Sequence, residues 1–157
     1  MPASSTAEDI LDINPQGIML SNGPGDPAEN TGIIKELRKL LNSGLPIFGI
    51  CLGHQLLALA AGAKTAKLKY GHRGANQPCT QTDTGRVYIT SQNHGYAVVG
   101  ESLPSNARVS FINANDGTCE GVDYLDMPAF SVQFHPEASA GPKDTAFLFD
   151  RFVSMLK

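Results

Sequence analysis

The chain has 157 residues, 41% of them hydrophobic and 17% charged, with a formal net charge of -3. This length supports one sizeable core, so we expect a single globular domain over residues 1–157. The Lys and Arg residues form no cluster, which disfavours nucleic acid or an anionic membrane as the partner. The three cysteines are widely spaced and match neither a metal knuckle nor a disulfide framework. We therefore expect a reducing, cytoplasmic setting and no bound metal.

The first third of the chain alternates helix and strand signals. Residues 5–8 (STAE) have the form of a capping box and predict a short opening helix. The apolar run 17–20 predicts a buried strand that leads into the turn-rich SNGPGDP at residues 21–27. Asp26 is predicted to cap a helix that continues until residues 42–44 (NSG) end it.

A second strand and helix follow at residues 46–50 and 52–61, and this order is typical of a parallel sheet. The second half contains short runs rich in β-branched and aromatic residues, at 86–90, 108–112, 120–124 and 129–134. Residues 144–156 carry an apolar stripe at helical spacing. The expected fold class is therefore α/β, a mostly parallel sheet flanked by helices, with added strands in the second half.

Gly49-x-Cys51-x-Gly53 matches the nucleophile elbow, in which flanking glycines permit a sharp turn from an apolar strand into a helix. Cys51 then lies at the amino end of that helix, where the helix dipole favours the reactive thiolate. We predict that Cys51 is a nucleophile. Cys79 and Cys119 lack this context and are expected to be structural.

An attacking thiolate needs donors for the oxyanion that forms on the substrate. In an elbow one donor is the N–H of the next residue, here Leu52. The SNGPGDP loop is the candidate for the second, because Gly23 and Gly25 allow backbone N–H groups to approach a ligand. A simple helix-initiating turn is the alternative for this loop.

The general base is predicted to be His135, which directly follows the apolar run 130–134. Glu137 follows two residues later and is placed to orient the imidazole. His54 is expected to pack or bond near its own helix. His72 and His94 are interpreted as loop residues at the surface.

Three segments, SNGPGDP, GICLGHQ (residues 49–55) and FHPE (residues 134–137), together resemble the triad-type, class I glutamine amidotransferases. Further segments are similar to the carbamoyl-phosphate synthetase branch of that family: RGANQPC (73–79), TSQNHGYAV (90–98), NANDGTCEG (113–121) and AGPKD (140–144). The resemblance covers nearly the whole chain.

The resemblance implies a flavodoxin-like domain in which Cys51, His135 and Glu137 form the triad and Gly23 and Leu52 hold the oxyanion. The implied glutamine-binding set is Gly23, Gly25, Leu52, Gln55, Asn93, Gly95 and Tyr96. Members of this branch have a leading domain and an opening strand and helix before the segment that resembles residues 5–17. We therefore expect an amino-terminally truncated amidotransferase domain that lacks this first strand and helix.

The implied activity is the glutaminase half of a glutamine-dependent carbamoyl-phosphate synthetase, with glutamine as the substrate. Ammonia would pass to a large, ammonia-using synthetase subunit, which would use ATP and magnesium, while this chain would need no cofactor. Arginine and pyrimidine biosynthesis both remain open as the pathway. Two alternatives also remain: another class I amidotransferase or γ-glutamyl hydrolase, and a catalytically weak docking or regulatory fragment.

Overall fold

The computed structural model describes residues 5–21, 26–136, 145 and 147–156. Its helices are α1 (Ala7–Asp12), α2 (Thr31–Leu41), α3 (Leu52–Ala60) and α4 (Phe147–Met155). Its strands are β1 (Ile18–Leu20), β2 (Ile47–Ile50), β3 (Thr65–Gln81), β4 (Val87–Val98), β5 (Ala107–Asn113), β6 (Cys119–Tyr124) and β7 (Ala129–Val132). None of the helices within these ranges is long and apolar enough to cross a membrane.

The seven strands of the described chain form one mixed sheet in the order β1-β2-β7-β6-β5-β3-β4. β1, β2 and β7 run parallel, with Ile50 of β2 opposite Val132 of β7. The remaining pairings are antiparallel. The predicted α/β class with added strands in the second half is confirmed. The sheet is not mostly parallel as predicted, because four of the six pairings among the described strands are antiparallel.

Apolar residues cover both faces of the sheet, as expected for buried parallel strands. Successive residues of β2 point to opposite faces, so Ile47 packs with the residues of α2 and α3 while Phe48 packs on the side of α4. Phe48 stacks on Phe130 of β7 with ring centroids 4.4 Å apart and meets Phe152 of α4 at 5.9 Å. Burying each such ring stabilises the fold by about 1.5–3 kcal/mol, which holds β2 and β7 side by side.

Two predicted helix starts are wrong in detail. The capping box of α1 is formed by Thr6 and Asp9, one residue later than predicted, and each side chain accepts a hydrogen bond from the backbone N–H of the other. Asp26 does cap a helix, but that helix is a single 3-10 turn over Pro27–Glu29. α2 starts separately at Thr31, so the predicted continuous helix is two elements.

The interpretation of His72 and His94 as surface loop residues is wrong. His72 belongs to β3, a 17-residue strand that the sequence analysis missed, and His94 belongs to β4, which extends eight residues beyond its predicted end at residue 90. The two strands form an antiparallel hairpin in which His72 and His94 are direct partners. Both residues are buried, at 8% and 6% exposure.

Candidate active site

Cys51 lies on the turn between β2 and α3 in a backbone conformation that side chains rarely adopt, with φ 56° and ψ -109°. Such a conformation costs on the order of 1–3 kcal/mol and persists only where the surroundings enforce it. Here the N–H of Cys51 donates to the carbonyl of Val132 at 3.0 Å, and its carbonyl accepts from Gln55 N–H at 3.3 Å. The predicted elbow is thus present, with the thiol at the carboxyl end of β2 and the amino end of α3.

The glycines on either side of Cys51 are required by close packing. A Cβ on Gly53 would lie 2.5 Å from the carbonyl oxygen of Leu20 in β1, and a Cβ on Gly49 would lie 2.8 Å from the carbonyl oxygen of Gly53. Any side chain at either position would push α3 away from the sheet. The G-x-C-x-G spacing therefore follows from how tightly α3 is seated on β1 and β2.

His135 is brought to the same edge of the sheet as Cys51. It follows β7 by three residues, and β7 is the parallel neighbour of β2, so the chain emerges from both strands at their shared carboxyl edge. The half-buried His135 is also tied to the hairpin, because its backbone N–H donates to the carbonyl of Ser91 in β4 at 2.9 Å. The predicted Glu137, Gly23 and Gly25 lie outside the described residues.

A network of buried amides connects the nucleophile to the hairpin. The Nε2 of Gln133 donates to the Sγ of Cys51 at 3.7 Å, and the Oε1 of Gln133 accepts from Nε2 of Gln55 at 2.8 Å. The same Nε2 of Gln55 donates to the carbonyl of Tyr96 at 2.8 Å. Gln133 is a site residue that the sequence analysis missed, and the available signal was a polar residue inside the apolar run that precedes His135.

The other predicted substrate residues lie around this network. Leu52 is the first residue of α3, where backbone N–H groups lack partners within the helix. Asn93, Gly95 and Tyr96 lie on β4, with Asn93 exposed and the other two half-buried. The structure thus joins Cys51, Gln55 and Tyr96 through hydrogen bonds, and the roles assigned to these residues remain predictions.

Burial shifts the pKa values of the other two thiols and of His54. Burial raises the pKa of Cys119 to about 12 and also raises the pKa of Cys79, which keeps both thiols protonated. Burial lowers the pKa of His54 to about 3. His54 is therefore a neutral packing residue, held by a 2.7 Å bond between its Nδ1 and the hydroxyl of Ser131 in β7 rather than by its own helix.

A surface cavity of about 560 Å³ lies away from this constellation. Its lining includes Arg38, Gly44, Ala61 and Pro128, which places it at the amino ends of β2 and β7. Catalytic groups in sheets of this kind gather at the carboxyl ends of the strands. The cavity is therefore not part of the candidate active site.

A family model described as glutamine amidotransferase class-I matches residues 1–155. The chain belongs to this family. It is 54% identical to the carbamoyl phosphate synthase small chain of Neisseria meningitidis serogroup B, over all of this chain and 42% of the relative. It is 55% identical to the small chain of Halomonas eurihalina, over all of this chain and 41% of the relative. The chain thus spans about two fifths of the length of these curated relatives.

Solved structures of the family share the fold. A candidate GMP synthase subunit from Thermoplasma acidophilum superposes with a TM-score of 0.83 at 23% identity, over 99% of this chain and 78% of that one. A glutamine amidotransferase from Methylobacillus flagellatus superposes with a TM-score of 0.74 at 14% identity, over 100% and 80% of the two chains. At these identities the likeness establishes the fold alone.

Proposed function

We propose that this chain carries the glutaminase activity of a glutamine-dependent carbamoyl-phosphate synthetase. The observation that carries the proposal is Cys51, held in a strained elbow at the amino end of α3 and at the same sheet edge as His135. The curated relatives named carbamoyl phosphate synthase small chain support this assignment, because they match the chain over its whole length at 52–55% identity.

The proposed reaction begins when the Sγ of Cys51 attacks the side-chain carbonyl carbon of glutamine and His135 takes the thiol proton. The negative oxygen of the tetrahedral intermediate accepts hydrogen bonds from the N–H groups of Leu52 and Gly23. The carbon–nitrogen bond then breaks, and His135 returns the proton to the departing ammonia. A γ-glutamyl thioester on Cys51 remains.

Water completes the cycle. His135 removes a proton from a water molecule, which attacks the thioester carbonyl, and the second tetrahedral intermediate collapses to glutamate with return of the proton to the sulfur. Glu137 is proposed to hold the imidazole of His135 in the required tautomer. Gln55 fixes the position of Tyr96, and Gln133 fixes the position of the Cys51 sulfur, through hydrogen bonds from their side-chain amides. A further hydrogen bond joins the two amides.

The ammonia is proposed to pass to a large synthetase subunit that uses ATP and magnesium to make carbamoyl phosphate, for arginine or pyrimidine synthesis. A cytoplasmic setting is part of the proposal. It is supported by three cysteines that are free and buried, as is usual in a reducing compartment.

The test is glutamine hydrolysis by the chain alone and with the large synthetase subunit of a close relative. We expect hydrolysis that rises when the large subunit is added. Cys51→Ala and His135→Ala should each lower kcat by about 10⁴-fold or more, and Glu137→Gln by less, because the orienting group exchanges no proton with the substrate. Cys119→Ala is the matched control and should stay active.

Two results would overturn the proposal. Hydrolysis of γ-glutamyl peptides in preference to glutamine, without a response to the large subunit, indicates a γ-glutamyl hydrolase. The second result is a chain that binds the large subunit but has a low turnover, which Cys51→Ala leaves unchanged. This result indicates a docking or regulatory fragment.

A further inference from the structure

Apart from the residues around Cys51, the structure brings together a second group of ionisable side chains. His72 of β3, His94 of β4 and Glu120 of β6 are all buried, at 8%, 6% and 0% exposure. The Nδ1 of His72 lies 3.2 Å from the Nε2 of His94 and 3.1 Å from the Oε1 of Glu120. Two imidazole nitrogens and a carboxylate oxygen therefore converge within 4.8 Å of one another.

The outer nitrogens of both rings are held by oxygen atoms. The Nε2 of His72 donates to Oδ2 of Asp116 at 2.7 Å, and the Nδ1 of His94 donates to the carbonyl of Tyr96 at 2.7 Å. A histidine that ligates a metal usually donates its other N–H to a carboxylate or a backbone carbonyl, which fixes the tautomer and ring orientation. Both rings here show that arrangement. Their inner nitrogens face each other, and the inner Nε2 of His94 also lies 2.8 Å from Oε1 of Gln92.

Glu120 supplies a second, independent observation. Its Oε2 is buried and has no hydrogen-bond partner among the residues that the structure describes. Its Oε1 receives only a long bond, 3.4 Å from Nδ2 of Asn113, besides its contact with His72. A buried carboxylate oxygen without a partner is costly, so its position calls for a cation.

Two carboxylates lie beside the imidazoles of this group. Oδ2 of Asp116 is 2.7 Å from the outer nitrogen of His72, and Oε1 of Glu120 is 3.1 Å from the inner nitrogen of the same ring. Carboxylates this close favour a positive charge between them.

Two of the three separations between ligand atoms agree with a small tetrahedral ion. Zinc binds imidazole nitrogen and carboxylate oxygen at about 2.0–2.1 Å, which places neighbouring ligand atoms of a tetrahedron about 3.3 Å apart. The two short separations at His72, 3.2 Å and 3.1 Å, are close to that value. We propose that His72, His94 and Glu120 bind a divalent transition-metal ion of the zinc type, with Asp116 orienting His72.

This site would have a structural effect on the hairpin. The ion would cross-link β3, β4 and β6, and the Tyr96 carbonyl that holds His94 also accepts a bond from Gln55. The metal would therefore stiffen the segment of β4 that contacts the amide network. The competing arrangement has no metal and keeps a proton on Nδ1 of His72 instead.

The test is a titration of the chelator-treated chain with Co²⁺ and with Zn²⁺, on a Cys51→Ala background that removes the nucleophile as a metal ligand. We expect one equivalent bound, a visible spectrum of tetrahedral Co²⁺ without a sulfur-to-metal charge-transfer band, and a rise in thermal midpoint on zinc addition. A folded chain that binds no stoichiometric metal overturns the proposal, as does an octahedral spectrum or a sulfur band.

Variants locate the site. Glu120→Gln and His72→Gln should weaken Co²⁺ binding at least tenfold, while Asp126→Asn, a matched change at an exposed carboxylate, should leave it unchanged. If the Glu120→Gln variant unfolds, Glu120→Asp, which keeps a carboxylate, replaces it in the Co²⁺ titration. Affinity unchanged in a folded Glu120→Gln or His72→Gln chain would exclude this group as the ligands.

Discussion

The side-chain amide of Gln133 donates to the Sγ of Cys51 across 3.7 Å, although the two residues are 82 positions apart in the chain. The contact exists because Cys51 follows β2 and Gln133 follows its parallel neighbour β7. In the proposed mechanism, it provides a neutral donor to a sulfur that becomes negatively charged before attack. Hydrogen bonds to charged partners contribute about 1.5–3 kcal/mol, so this contact bears directly on the reactivity of the thiol.

We predict that Gln133→Met, which keeps the shape but removes the donor, lowers kcat for glutamine about 10- to 100-fold with a smaller change in KM. The expected loss follows from the energy of one hydrogen bond to a charged sulfur. Steady-state kinetics measure it, and Gln16→Met at an exposed position is the control. An unchanged kcat in a folded Gln133→Met chain would show that the donor is not needed.

Cys51 should react with a glutamine-analogue electrophile much faster than the other two thiols. Burial keeps Cys79 and Cys119 protonated by raising the pKa of each thiol, and only Cys51 lies at the amino end of a helix. Labelling under native conditions followed by peptide mapping gives the three rates. Equal labelling of all three thiols in the folded chain would contradict the assignment.

Gly53→Ala should destabilise the fold by about 1–3 kcal/mol, because the new Cβ would overlap the backbone of Leu20. Denaturant unfolding measures this loss. Gly32→Ala is the matched control, since a Cβ at Gly32 in α2 meets nothing within 4 Å. That control should be as stable as the parent or up to about 1 kcal/mol more stable. Similar losses at both positions would argue against tight seating of α3.

Stability should fall as the pH is lowered below about 6.5, because His54 must remain neutral. Its pKa is about 3 in the fold and near 6.5 when unfolded, so the unfolded chain takes up the proton first. The destabilisation is absent above pH 6.5 and grows as the pH falls toward 3, by at most about 1.4 kcal/mol per pH unit. His94, whose pKa is also lowered, adds to the loss of stability in the same direction.

His54→Asn removes this titration and retains an amide that can bond to Ser131. Its unfolding free energy should therefore drop less than that of the parent between about pH 7 and about pH 5, measured by denaturant unfolding at each pH. Parallel curves for the two chains would mean that His54 does not cause the acid sensitivity.

The elbow was predictable because its signal is local. Gly49, Cys51 and Gly53 lie within five residues between an apolar strand and an apolar helix, and the structure places them on that turn. The predicted β2 and α3 are confirmed to within one residue for the same reason. In both elements, most of the apolar residues of the sequence pattern are residues that the structure buries.

The hairpin was not predictable from local pattern. β3 contains Lys67, Lys69, Gly71, Gly74 and Pro78, which break apolar alternation and resemble loop residues. The strand forms because β4 and β5 supply its hydrogen-bond partners, and that information lies in distant segments. The burial of His72 and His94 was not predictable for the same reason. Each histidine has a glycine neighbour, which resembles a loop, and each becomes buried only when the hairpin forms.

The position of β7 bears on how the chain acquires its chemistry during folding. β7 is the last strand of the described chain, yet it lies between β2 and β6 in the sheet. The carbonyl of Val132 that holds the backbone of Cys51, and the segment that carries Gln133 and His135, all arrive with β7. A nascent chain that has formed only its earlier strands would therefore hold an inert thiol, and insertion of β7 would be the folding step that activates it.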